Sequence, residues 1–195
     1  MILPIVAYGT PVLKKKGKDI TAEYPAFEQL LENMWETMYE ANGVGLAAPQ
    51  VGIAIRLFIV DASPFADDDE LTDEEQKQLT GFKKVFINPQ IEESGEEWAF
   101  NEGCLSIPDV REDVYRQEEI QIRYWDENFK EHTEQYTGLA ARVIQHEYDH
   151  IEGVLFTDKL SPLKKRLIKG KLNNIAKGNI DVDYKMRFPL ASKKR

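Results

Sequence analysis

Apolar positions recur along this chain with two periods. Phe27, Leu30, Leu31, Met34, Trp35 and Met38 fall at i, i+3, i+4, i+7, i+8 and i+11, the stripe of an amphipathic helix. Pro25 suits its first helical position and Asn42-Gly43 its end. A second helical pattern runs from Leu139 to Ile151 without Gly or Pro, with Thr137 as N-cap and Gly153 as stop. Along it Leu139, Val143, His146 and His150 recur at spacings of four, three and four, so one face passes from apolar to imidazole. A third helix is predicted from Ser161-Pro162 to about Ile175 despite Gly170. Its Leu163, Leu167 and Leu172 are expected to pack on the body. Thr72-Asp73-Glu74-Glu75 reads as a capping box that opens a short surface helix.

The other period is that of strands. Ile53 to Val60 is an apolar, β-branched run and predicts a buried strand. Val85 to Ile87 predicts another, stopped by Asn88-Pro89, and Ile91 through Phe100 adds strand with a turn at Gly95. Ile120 to Trp125 alternates apolar and polar, then Asp126-Glu127-Asn128 turns into a strand around Glu131 to Tyr136. The N-terminal segment, with Pro4 and Pro11, reads as extended chain and turns. Gly43 to Gly52 is a Gly-rich connection that lets the backbone approach a ligand and ends in polar Gln50. It is no phosphate loop, because no Gly-Lys-Ser/Thr follows. The expectation is an α+β fold, with short, mostly antiparallel strands packed around the central helix that carries His146 and His150.

Composition narrows the class. At 195 residues and 42% hydrophobic, the chain suits a single domain, 1–195, with a core of its own. No apolar run is long enough to span a membrane, and the start lacks the pattern of a signal peptide. One cysteine excludes an intramolecular disulfide and fits a reducing compartment, so a cytoplasmic location is expected. The net charge of −9 hides an asymmetry. Residues 66–80 hold seven acidic side chains and one lysine, whereas Lys164, Lys165, Arg166, Lys169, Lys171 and Lys177 form a basic extension from about residue 161.

Candidate chemistry concentrates in the second helix. His146-Glu147-Tyr148-Asp149-His150 is an H-E-x-x-H pattern. On a helix its two imidazoles share a face and can bind one metal ion, leaving Glu147 beside it as acid or base. Cys104, the only cysteine, supplies a third ligand. Two imidazoles and a thiolate leave one position of a four-coordinate site open, as catalytic sites require. His132, in the charged stretch 130–134, is expected to be exposed.

Three separated motifs together resemble those of the bacterial peptide deformylases: Gly43-Val44-Gly45-Leu46-Ala47-Ala48-Pro49-Gln50, Glu102-Gly103-Cys104-Leu105-Ser106 and Gln145-His146-Glu147-Tyr148-Asp149-His150. The resemblance covers roughly residues 1 to 160; the acidic insertion after Asp61 and the long C-terminal tail depart from the family pattern. It implies removal of the formyl group from the N-terminal methionine of new polypeptides, with release of formate. Cys104, His146 and His150 would then hold the metal and Glu147 would move the proton. The Gln50 amide and the Leu105 backbone N–H would stabilise the oxyanion. Gly45 would offer backbone hydrogen bonds to the peptide, while Leu139 and Val143 would wall the methionine pocket.

The donor set alone suits Zn²⁺. The resemblance implies Fe²⁺ as the physiological ion, with Zn²⁺, Ni²⁺ or Co²⁺ as substitutes. Partners expected on the same ground are N-formylmethionyl nascent peptides, and the ribosome through the basic segment. Two rival functions remain: a metallopeptidase, which shares H-E-x-x-H, and a non-enzymatic metal or redox sensor using Cys104.

Overall fold

The structure, a computed structural model, describes residues 1–69 and 71–190. Glu70 of the acidic stretch and residues 191–195 of the basic extension lie outside the described residues. A five-stranded antiparallel sheet runs in chain order: β2 (Gly45–Ala47), β3 (Leu57–Asp61), β4 (Lys83–Cys104), β5 (Ile107–Trp125) and β6 (Glu131–Thr137). Apart from it, β1 (Ile5–Val6) pairs in parallel with β7 (Met186–Arg187). The helices are α1 (Phe27–Glu40), α2 (Asp73–Leu79), α3 (Gly138–Ile151) and α4 (Pro162–Lys177). The class is α+β, as expected.

The run around β3 is continuously apolar because both of its faces are covered. Phe58 and Val60 join Phe86, Ile120, Ile122 and Tyr124 against Ala140, Ala141, Ile144 and Ile151 of α3. Leu57 and Ile59 instead join Leu46, Val85 and Ile87 against Met34 and Met38 of α1. Each such side chain contributes about 1.5–3 kcal/mol when fully buried. Phe58 and Phe86 stack with centroids 4.8 Å apart, and Tyr124 lies 4.5 Å beyond Phe86. One sheet thus positions two helices, and α3 packs on it through Leu139, Ala140, Ala141, Ile144 and Ile151.

The two middle strands are long rather than short. Asn88-Pro89 and Gly95 do not end β4; register shifts between Ile87 and Gln90 and between Ser94 and Glu97 absorb them. Both Asn88 (φ 48°) and Gly95 (φ 85°) take left-handed backbone there, as bulges permit. Pro89 lies inside the first irregularity, where its missing N–H breaks no regular pair. Residues 107–119 of β5 escaped the sequence reading because charges crowd them. Ile107, Val110, Val114 and Arg116 are nevertheless buried, while Arg111, Asp113 and Tyr115 face solvent. The predicted strand from Ile53 begins only at Leu57, and the helix expected from Pro25 begins at Phe27.

Helix ends follow the sequence closely. In α2, Thr72 Oγ1 accepts from the Glu75 N–H at 3.3 Å and Glu75 Oε2 accepts from the Thr72 N–H at 2.9 Å. Phe65, Leu71 and buried Leu79 anchor this acidic segment to the α3 side of the core. Thr137 is the N-cap of α3, without a side-chain hydrogen bond. His132 is half-buried rather than exposed: its Nε2 lies 2.7 Å from Asp126 Oδ2 and its ring stacks on Tyr124.

The packing face of α4 needs correction. Leu163 and Leu167 are 64% and 72% exposed. The helix instead buries Ile168, Leu172, Ile175 and Ala176, spaced i, i+4, i+7 and i+8. Leu172→Ala should therefore lower unfolding free energy by about 2–4 kcal/mol, whereas Leu167→Ala should change it by no more than about 0.5 kcal/mol. Urea denaturation of both variants checks the assignment.

Candidate active site

The elements converge on a cavity of about 680 Å³. Its lining includes Gly45, Gln50, Cys104, Leu105, Leu139, Val143, His146 and Glu147, which come from β2, the following 3-10 turn, the β4–β5 turn and α3. His150 lies one turn beyond His146 and is 1% exposed. All nine sequence-predicted site residues thus come together.

Three donor atoms, from Cys104, His146 and His150, lie within 4.8 Å of one another. Cys104 Sγ is 3.3 Å from His150 Nε2. His146 Nδ1 lies 2.9 Å from Glu102 Oε2, which makes Nδ1 the protonated nitrogen and leaves Nε2 for a ligand. Phe156 stacks on the His146 ring. Thiolate and imidazole at this spacing suit a single divalent ion. Burial alone would lower the His146 pKa, but Cys104 and Glu102 outweigh it and push it up to about 10. Binding of an ion by this imidazole would therefore compete with a proton. His150 is driven far below its usual range by burial and by the His146 charge, which keeps it a neutral ligand.

Glu147 is buried between this cluster and β2. Burial, the dominant cause, raises its pKa to about 7, the range of a general base at neutral pH. Its Oε2 has no hydrogen-bond partner among the described residues. A buried carboxylate oxygen is costly to leave so. Gly45 makes room for it, because a Cβ at that position would meet Glu147 Oε1 at 2.5 Å.

Gln50 is 1% exposed and its amide orientation is unambiguous. Its Oε1 must accept from the Ala47 N–H at 2.8 Å, so Nε2 is directed at Cys104 Sγ, 3.6 Å away, and Ser106 Oγ, 3.4 Å away. A fixed N–H donor therefore points into the donor cluster.

Sequence reasoning gave no role to the groups behind these residues. Glu102 is 4% exposed and accepts from Arg116 Nε at 2.6 Å, Arg116 Nη2 at 3.0 Å and Arg142 Nη1 at 3.0 Å, besides facing His146. Asp149 Oδ2 takes another Arg116 nitrogen at 2.7 Å. Despite burial, which would raise it, the Glu102 carboxyl lies well below the carboxylate range because His146 and Arg116 bind its charged form. Asp181–Tyr184 of the tail also line the cavity, and no sequence pattern pointed to them.

A three-donor metal cluster with a buried carboxylate beside it, open to an apolar cavity, defines the class as a metal-dependent hydrolase. A sequence model of the polypeptide deformylase family matches residues 2–166. A peptide deformylase of Christiangramia forsetii is 70% identical over 196 aligned residues, with 100% of both chains covered. One from Flavobacterium johnsoniae is 62% identical with the same coverage. The crystal structure of a peptide deformylase from Legionella pneumophila has a TM-score of 0.76 at 36% identity, covering 89% of this chain and 95% of that one. The chain belongs to the polypeptide deformylase family. Its activity is removal of the N-formyl group from nascent peptides.

The Glu102 network yields a stability prediction. Glu102→Gln leaves Arg142 buried without a carboxylate partner and Arg116 with Asp149 alone, and should cost about 3–5 kcal/mol in urea unfolding at neutral pH. The folded pKa of Glu102 is depressed, so its stabilisation is complete above the unfolded value of 4.5 and is lost as pH falls below it. Urea midpoints measured at decreasing pH should show this acid-side loss in the native chain and a weaker one in Glu102→Gln.

Proposed function

We propose that the reaction is carried by Cys104, His146, His150, Glu147, Gln50 and Leu105, in a single deformylase-like domain, 1–195, with its basic extension from about 161. The observation that supports this most is the Glu147 carboxylate, buried beside the donor cluster with one oxygen free. Cys104, His146 and His150 would hold one divalent ion, which when bound supplies Lewis acidity and makes a water more acidic. Fe²⁺ is the physiological ion on this reading, with Zn²⁺, Ni²⁺ or Co²⁺ as substitutes. Glu147 takes the proton of the attacking water, whose oxygen bonds to the formyl carbon. Negative charge gathers on the former carbonyl oxygen, where Gln50 Nε2 and the Leu105 N–H donate to it. As the C–N bond breaks, Glu147 returns the proton to the leaving amine, and formate departs.

Specificity follows from the walls. Leu139 and Val143 stand on the cavity side of α3 and take the methionine side chain. Gly45 presents its backbone to the peptide, which binds in the manner of an added strand. Arg142, stacked on Trp98 with 4.4 Å to the ring centroid, supports the wall from behind.

Two variants and a metal assay test this. Glu147→Ala should keep its metal yet lose nearly all formate release from a formyl-Met peptide, and near-normal release would disprove the acid–base role. Gln50→Leu should cut kcat by about 10²–10³ with little change in KM. Cys104→Ser should lower metal content. Elemental analysis of protein purified without oxygen identifies the ion.

A contact with the ribosome is the finer proposal, in a cytoplasmic setting. No helix among the described residues is long and apolar enough to cross a membrane. Lys165, Arg166, Lys169 and Lys171 are exposed on α4 beside exposed Leu163 and Leu167. Lys164 is engaged with Glu112 at 3.0 Å. Reversing the four exposed charges to Glu should weaken co-sedimentation with ribosomes at low salt, because neutralised phosphates dominate such contacts. Hydrolysis of a short formyl peptide should be unchanged. Co-sedimentation that survives the reversal would reject this face.

A further inference from the structure

The turn that carries the proposed oxyanion donor depends on support from outside its own hairpin. β4 passes into β5 through Leu105 and Ser106 alone, with Cys104 paired to Ile107. Two-residue turns whose twist matches the strands need a positive φ at one or both central positions. Neither Leu105 nor Ser106 has one, so the strands by themselves do not set the orientation of these peptides. Three contacts from elsewhere do. The Tyr8 N–H donates to the Ser106 carbonyl at 2.8 Å, and Gln50 Nε2 lies 3.4 Å from Ser106 Oγ. The Tyr184 hydroxyl donates to the Leu105 carbonyl at 2.8 Å.

The first two belong to segments within residues 2–166, matched by the family, whereas Tyr184 lies beyond that match. It is well anchored. Lys185 O and Arg187 O accept from the Ile5 and Ala7 N–H groups, each at 2.9 Å, as β7 pairs with β1. The Tyr184 ring packs on the same core cluster as Leu105, and Asp181–Tyr184 line the cavity beside it. The tail therefore reaches back over the active site, and its Tyr184 meets the one residue whose backbone is asked to meet the oxyanion.

We propose that Tyr184 is a positioning residue for deformylation: its O–H holds the Leu105 peptide so that the Leu105 N–H is aimed at the developing oxyanion. It touches no reacting atom and acts only through Leu105. Such donors must lie within about 2.7–3.1 Å of the oxyanion to be effective, so a small rotation of this turn weakens the transition state more than the substrate complex. The inference rests on the role proposed above for Leu105.

Tyr184→Phe keeps the ring and removes only the hydrogen bond. In full-length enzyme loaded with Ni²⁺, kcat on a short formyl-Met peptide should fall about 5–10-fold, the scale of one lost hydrogen bond. KM should move by less than about twofold, as for an interaction felt mainly in the transition state. Metal stoichiometry should match the native chain, and the thermal midpoint should fall by no more than one lost hydrogen bond costs. An unchanged kcat overturns the proposal, as does a fall that tracks lost metal or appears only in KM. Tyr184→Ala provides the second arm: a defect in Ala that Phe fully restores assigns the effect to ring packing and also overturns it. The native chain is the control for the reaction itself. Absence of formate release there strikes the deformylase reading, whereas an active native chain with an unaffected Phe variant strikes only Tyr184.

Discussion

A single buried carboxylate, Glu102, is the constraint on which the site depends. It sits near the end of β4, two residues before Cys104, and is shared by Arg116 of β5 and by Arg142 and His146 of α3. Burying any one of these charges alone would cost several kcal/mol. Together they satisfy one another, and only when both strands and the helix are in register. The same carboxylate sets the His146 tautomer, so the event that aligns Cys104 with α3 also prepares the imidazole to bind a cation. Arg116 extends the tie to Asp149, one residue before His150. Fold and donor-cluster geometry are therefore one electrostatic arrangement.

Much of the site was legible because its chemistry is compact in the chain. H-E-x-x-H lies within one helix, and Cys104 and Gln50 sit in short segments with little else to explain them. The supporting shell was not legible, since Glu102, Arg116 and Arg142 look like ordinary surface charge until their burial is known. Charged residues are almost never fully buried unless paired, and a pair formed across 14 or 40 residues leaves no local period. The same reason hid β5: Asp109, Arg111, Glu112 and Asp113 suggest a loop, yet every apolar position between them faces the core. Asn88-Pro89 and Gly95 misled in the opposite direction, because bulges let a strand pass residues that would end a regular one.

The tail shows a different limit. Met186 and Arg187 add only two residues of strand to β1, too little to leave a hydrophobic alternation. What fixes the C-terminal segment is backbone pairing and scattered packing of Ile180, Met186 and Phe188 on the cluster around Val6 and Phe156. Leu163 and Leu167 drew attention as the apolar residues of α4, yet the buried stripe lies one position later. An amphipathic helix with four apolar residues on one face and two more on the other has no unique packing solution from sequence alone. The face that turned inward is the one whose Ile168, Leu172 and Ile175 join Val110 and Val114 of β5 in one cluster.

The site also holds groups in states that water would not choose, and this follows from the fold rather than from any single residue. Glu147 is kept from solvent by α3 and β2 with one oxygen unpartnered, and its proton affinity rises toward neutrality as a result. Gly45 permits that placement because it alone offers no Cβ to displace the carboxylate. His146 and His150 are pushed in opposite directions although they are one turn apart. Cys104 and Glu102 hydrogen-bond the His146 ring and outweigh its burial, whereas burial and the His146 charge dominate at His150. A cation in this cluster would take the place of the His146 proton, and His150 is already neutral and ready to bind it. Metal binding and proton release are thereby coupled in a cluster already shaped by the apolar packing of α3 against the sheet. The stability lost by burying Glu147 without a partner is offset by that packing. One oxygen of that carboxylate is thus left without a partner among the described residues, beside the donor cluster.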